Sequence, residues 1–138
     1  MKNHVTGYWL SLGLFSAVYT FSSIMDLTGV GPAQATLAHL GYPAYVSTIL
    51  GLWKVGAVVT LLSPRLARLK EWAYAGIVFD LTGGFISHVV TGDQLPKPII
   101  PLVLLALAMT SYLLRPASRR LAAASAASRA HGILVPAR

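Results

Sequence analysis

The sequence predicts an all-α membrane protein, a bundle of four transmembrane helices with a short re-entrant or interfacial helix between the first two. Hydrophobic residues make up 55% of the 138 residues and charged residues only 11%, whereas about a quarter of a globular domain is charged. The basic residues, which give a net charge of +7, are grouped between apolar stretches rather than spread over a polar face. This grouping is typical of a polytopic membrane protein and argues against nucleic-acid binding.

The four predicted spans are separated by glycine, proline or basic residues and cover residues of about 7–26, 44–62, 72–91 and 98–114. The segment from Gly29 to Pro43 is broken by Gly and Pro and carries no acid or base except His39. We therefore expect the short re-entrant or interfacial helix there. Residues 1–120 are expected to form one membrane domain, and residues 121–138, rich in Ala, Ser and Arg, a flexible basic tail.

Lysine and arginine residues predict the orientation of the spans, because they concentrate in cytoplasmic loops. With the N-terminus inside, the turn that contains Arg65, Arg68 and Lys70 lies inside, as do the arginines after the fourth span. Lys97 is then the basic residue of the outer loops. Both termini are therefore expected to lie in the cytoplasm.

Ionisable side chains inside the spans are candidate functional residues, since a charge near the bilayer centre costs about 2.5 to 3.5 kcal/mol on insertion scales. Such side chains face the bundle interior and pair. Lys54 and Asp80 each lie about eight residues from the inner end of their spans, whereas Asp26 and His88 lie toward the outer side. We expect a Lys54–Asp80 pair near the midplane and an Asp26–His88 pair above it. A purely structural pair that fixes helix register is the alternative.

Polar and small residues recur at steps of three and four on the first three spans, which places them on one face of each helix. These faces predict a polar pocket enclosed by three spans, with the fourth span closing the bundle. The expected ligand-binding residues are Tyr19, Ser23, Asp26, Ser47, Gly51, Trp53, Lys54, Asp80, Gly84 and His88. No metal site is expected, because the four histidines lie on different segments and the chain has no cysteine.

The stretch LGYPAYVSTILGLWKVGAVVTLLSPRLARLKEWAYAGIVFDLTGGFISH resembles the DoxX-like family of small bacterial four-helix membrane proteins. The shared features are an LGYP segment, a G-x-W-K motif in the second span, a proline and basic turn, and an EWAYAG-x-x-FD-x-x-G motif entering the third span. The resemblance covers about Asp26 to Asp93 and implies that the protein lies in the bacterial cytoplasmic (inner) membrane. The family positions that it implies are Gly51, Lys54, Glu71, Tyr74, Gly76, Asp80, Gly83 and His88.

The residues and the resemblance leave three functions open. DoxX itself is named for a membrane subunit of a thiosulfate:quinone oxidoreductase, which implies a redox accessory that binds a lipophilic molecule, such as a quinone, beside a partner oxidoreductase. Lys54 would then donate a hydrogen bond to the quinone carbonyl, and no cofactor intrinsic to the chain is expected.

The second function is a membrane-embedded isomerase or hydrolase in which Asp80 is the acid or base and Lys54 or His88 stabilises developing charge. The third is a non-catalytic assembly or interaction protein. The candidate partners are therefore the lipid bilayer, a lipophilic small molecule and a partner oxidoreductase. A homodimer is a further candidate assembly.

Overall fold

The computed structural model describes residues 2–121 and residue 129. Its regular structure in this part of the chain is helical throughout, which confirms the all-α prediction. The five α-helices are α1 Lys2–Thr28, α2 Ala33–His39, α3 Tyr45–Leu62, α4 Ala67–Thr91 and α5 Ile99–Leu113, followed by a 3₁₀ turn Ala117–Arg119. The predicted tail, apart from Leu121 and Arg129, lies outside the described residues.

Glycine and proline residues set the ends of the long helices. Gly29 and Gly92, which follow α1 and α4, have φ angles of 69° and 78°, a left-handed conformation that glycine adopts without steric cost. Ser63, before Pro64, is extended and ends α3, as expected for a residue that precedes proline. The helix α4 begins at Ala67, five residues before the predicted start at 72. The hydropathy pattern misses this first turn because its basic residues are polar, yet Arg and Lys are good helix formers.

The four long helices pack in a closed ring, in which α1 and α4 each contact both α3 and α5. The short helix α2 lies against α1 and α3. Its residues fall within the predicted re-entrant or interfacial segment. The helix α1 buries Tyr8, Leu12, Phe15 and Tyr19, whose spacing of four and three residues forms one face. This face meets buried side chains of the other three helices, namely Val58, Leu61, Tyr74, Ile77, Leu81 and Ala108.

Three helices in the described part of the chain are long and apolar enough to cross a membrane, namely α1, α3 and α4. The predicted fourth span forms α5, whose 15 residues are fewer than the roughly 20 needed for a full crossing. The outward surface of the bundle is strongly apolar. Trp53, Trp72 and Phe79 are 74%, 78% and 76% exposed, respectively. An apolar surface of this kind fits contact with lipid rather than water.

Candidate functional site

A half-open groove of about 660 Å³ lies between α3 and α4. Its walls are mainly apolar, with Leu50, Trp53 and Ala57 from α3 and Leu69 and Trp72 from α4 among the lining residues. The polar side chains among the lining residues are those of Tyr19, Lys54, Thr60 and Asp80. The groove thus combines an apolar body with a small number of polar groups, as binding sites for small molecules do.

Two glycines keep this groove open. Gly56 of α3 and Gly76 of α4 both line it, and a Cβ atom added at either position would meet no atom within 4 Å. Neither glycine is therefore required by close helix packing. Their missing side chains instead leave space that a larger residue would fill.

Lys54 is bonded to α1 and not to α4. Its Nζ donates to Asp26 Oδ2 at 2.7 Å and to Ser22 Oγ at 3.0 Å, and it lies 5.5 Å from the centroid of the Tyr19 ring. The predicted Lys54–Asp80 pair is therefore wrong. Because Ser22 and Asp26 are one turn apart on α1, both present oxygen atoms to the same ammonium group. An ammonium has three N–H bonds, and the third has no acceptor among the described residues.

Asp80 faces the groove from the opposite helix. Its Oδ2 accepts a hydrogen bond of 2.6 Å from the Tyr19 hydroxyl, while its second oxygen has no hydrogen-bond partner in the described part of the chain. Tyr19 thus stands between Lys54, which lies over its ring, and Asp80, which binds its hydroxyl. The result is a site with one unused donor and one unused acceptor beside an apolar groove.

The predicted Asp26–His88 pair is also wrong, because His88 binds a loop residue. His88 Nδ1 lies 2.7 Å from Asp93 Oδ2, and His39 Nε2 of α2 lies 2.8 Å from the other oxygen. Lys97 Nζ adds a contact of 3.0 Å. We call these four residues the Asp93 clasp. The hydrogen bonds from His88, His39 and Lys97 hold the pKa of Asp93 well below its usual range.

The remaining predicted ligand-binding residues lie outside the groove and contact other helices or their own. Ser47 Oγ donates to the Asp26 carbonyl oxygen at 2.7 Å, and Ser23 Oγ to the Thr20 carbonyl at 2.8 Å. A Cβ atom at Gly51 would lie 2.7 Å from Leu27 Cγ, whereas one at Gly84 would lie 3.7 Å from Pro101 Cγ. Ser47 and Gly51 thus fix the close approach of α3 to α1, which places Lys54 beside Asp26.

Sequence reasoning missed several lining residues and the centre of the clasp. Trp72 and Gly76 precede Asp80 at intervals of four, so stepping back along α4 from Asp80 would have found this face. Asp93 carries a weaker signal, since only its position five residues after His88 suggests a contact. Among residues 2–121 and 129, no group of three or more His, Asp or Glu side chains is placed to hold a metal ion.

Basic residues close the bundle at the end where the α3–α4 turn lies. The Arg119 guanidinium donates to the Leu61 carbonyl at 3.1 Å, and Lys70 Nζ donates to the Ser63 carbonyl. Both carbonyls belong to the last residues of α3 or its cap, where cations are favourable. The buried Arg115 binds Glu71 at 2.9 Å. Three of the cations that predict orientation, Lys70, Arg115 and Arg119, therefore also bind groups within the bundle.

Long apolar helices with strongly apolar outer surfaces and buried polar groups are the features of an integral membrane protein of the helical-bundle class. A model of the DoxX-like family matches residues 10–111. The chain therefore belongs to the DoxX-like family, as the motifs of its second and third spans indicate. Comparison with curated proteins gave no match, and comparison with solved structures gave none either.

Proposed function

We propose that this protein crosses the bacterial inner membrane four times and binds a lipophilic small molecule in the groove between α3 and α4. The observation that carries the proposal is the pairing of apolar walls with the unused hydrogen-bonding atoms of Lys54 and Asp80. A ligand from the bilayer can place its apolar part against Trp53 and Trp72, and its polar group against these two residues.

The fourth crossing is assigned to α5, which packs along both α1 and α4. Its 15 residues span about 22 Å, so the bilayer thins locally or flanking residues extend the crossing. The orientation follows from the basic residues that gather where the α3–α4 turn and the end of α5 meet, through Arg119 to Leu61 and Arg115 to Glu71. This end, and with it both termini, is assigned to the cytoplasm.

A quinone is the ligand that the family resemblance implies. Its carbonyl oxygen would accept the free N–H of Lys54, and a quinol hydroxyl would donate to Asp80. In that case a partner oxidoreductase supplies the electrons, and the protein acts as a redox accessory that holds the quinone.

Filling the groove tests the proposal. In Gly76→Leu the new side chain occupies the groove, whereas in Gly83→Leu, on the same helix, it lies outside the groove, and neither position has an atom within 4 Å of an added Cβ. Both substitutions raise helix propensity by a similar amount, about 1 kcal/mol. We expect a lipophilic molecule to be extracted with the wild type and Gly83→Leu, as detected by mass spectrometry, and to be lost from Gly76→Leu. Equal recovery from both variants would contradict the proposal.

A further inference from the structure

The charges around the groove do not balance. Two carboxylates, Asp26 and Asp80, lie near a single ammonium group, that of Lys54. Lys54 is 2.7 Å from Asp26, and the side chains of this pair are only 13% and 6% exposed. The Asp26 carboxylate therefore neutralises the positive charge of Lys54. Among the described residues, Asp80 has a tyrosine hydroxyl as its partner and no cation in contact.

A tyrosine hydroxyl stabilises a carboxylate by a hydrogen bond but does not neutralise its charge. A carboxylate beside an apolar groove at membrane depth carries a large desolvation cost, which a cation in contact with it offsets. On the proposed function, on which this step rests, we infer that the ligand of the groove is a lipophilic cation, a protonated amine with an apolar body. Asp80 is the counter-ion that binds its head group.

The aromatic side chains of the groove fit the same ligand. Trp53, Trp72 and Tyr19 line it, and aromatic rings attract cations within about 6 Å of their centroids. The Tyr19 ring already has the Lys54 ammonium at 5.5 Å. The Asp26 carboxylate, 2.7 Å from the Lys54 ammonium, reduces the repulsion between Lys54 and a cationic ligand. A neutral quinone, by contrast, uses the Lys54 donor and leaves Asp80 without a counter-ion.

Two probes that differ only in the head group separate charge from shape. The probes are 2-(2-naphthyl)ethylamine, which is protonated at pH 7, and 2-(2-naphthyl)ethanol, which is neutral. Both are titrated by calorimetry into the full-length protein in a non-ionic detergent, with decylubiquinone as a third ligand. We expect the amine to bind the wild type at least tenfold more tightly than the alcohol. In Asp80→Asn the ratio of the affinity for the amine to that for the alcohol should fall to about one. In Gly76→Leu the binding of all probes should weaken, whereas Gly83→Leu should bind them as the wild type does.

The outcomes separate the inference from the proposed function. If the alcohol or decylubiquinone binds the wild type as tightly as the amine, and Gly76→Leu abolishes that binding, the groove is a ligand site but the cationic head group is wrong. If no probe binds the wild type, or if Gly76→Leu binds all of them unchanged, both the inference and the proposed function fall. The comparison of amine with alcohol in the wild type needs no variant, so it decides the head group even if Asp80→Asn does not fold.

Discussion

Lys54 of α3 is bonded to Asp26 of α1 at 2.7 Å, and this contact leaves Asp80 of α4 free to face the groove. The ion pair joins the two helices that Ser47 and Gly51 already hold close together. It therefore has a structural role, whereas Asp80, whose partner is a tyrosine, has the capacity to bind a further group. Asp26 and Asp80 carry the same chemical group, but their roles differ because only Asp26 is paired with a cation.

Removing only one of the two charges of the Lys54–Asp26 pair should destabilise the folded protein strongly. Lys54→Met leaves the Asp26 carboxylate buried without a cation, and removing one partner of such a pair typically costs about 3 to 5 kcal/mol. The double variant Asp26→Leu with Lys54→Met has no unpaired charge and should be destabilised less than Lys54→Met alone. Thermal unfolding in detergent measures both. A double variant that is as unstable as Lys54→Met, or less stable, would contradict this account.

Ser22→Ala is the matched control for that cycle. It removes the second hydrogen bond of Lys54, of 3.0 Å, and keeps the ion pair. The expected cost is about 1 kcal/mol, well below that of Lys54→Met. A cost equal to that of Lys54→Met would mean that the hydroxyl, and not the charge of Asp26, fixes the ammonium.

The long helices and the charged residues between them could be predicted from the sequence, but the pairing of these charges and most of the groove lining could not. Hydropathy and the rarity of charges within the spans single out Asp26, Lys54 and Asp80, and depth along each helix follows from the rise per residue. Depth does not give the direction in which a side chain points around its helix. In addition, α1 continues to Thr28, so Asp26 lies within a helical turn that also contains Ser22. Lys54 reaches this turn because its side chain is long.

Gly51 should be intolerant of even a methyl group. A Cβ atom there would lie 2.7 Å from Leu27 Cγ and 3.1 Å from Asp26 Cβ, so Gly51→Ala forces α1 and α3 apart. The expected cost is about 1 to 3 kcal/mol. Gly56→Ala, on the same helix with no atom within 4 Å, should instead gain up to about 1 kcal/mol from helix propensity. Melting temperatures of the two variants test the contrast, and two equal shifts would refute it.

The Asp93 clasp should make stability depend on pH in the acid range. Hydrogen bonds from His88, His39 and Lys97 keep the pKa of Asp93 well below its usual value. A carboxyl group whose pKa is lower in the folded protein stabilises the fold above its unfolded pKa of about 3.9, and this contribution is lost as the pH falls toward the folded pKa. The Tm of the wild type should therefore fall below about pH 4, and that of Asp93→Asn should fall less. Lys97→Met, which removes a 56% exposed partner, should keep most of the wild-type dependence.

The orientation can be tested directly because the sequence contains no cysteine. Arg68→Cys places a thiol at the start of α4, near the basic end, and Gln94→Cys places one in the loop between α4 and α5, at the end of the Asp93 clasp. Both positions are exposed. With both termini in the cytoplasm, a membrane-impermeant maleimide should label Gln94→Cys in intact cells and Arg68→Cys only after the inner membrane is permeabilised. The reverse pattern would mean that the topology is inverted. Labelling of both sites from the same side of the membrane would mean that α4, which lies between them, does not cross the membrane as a single helix.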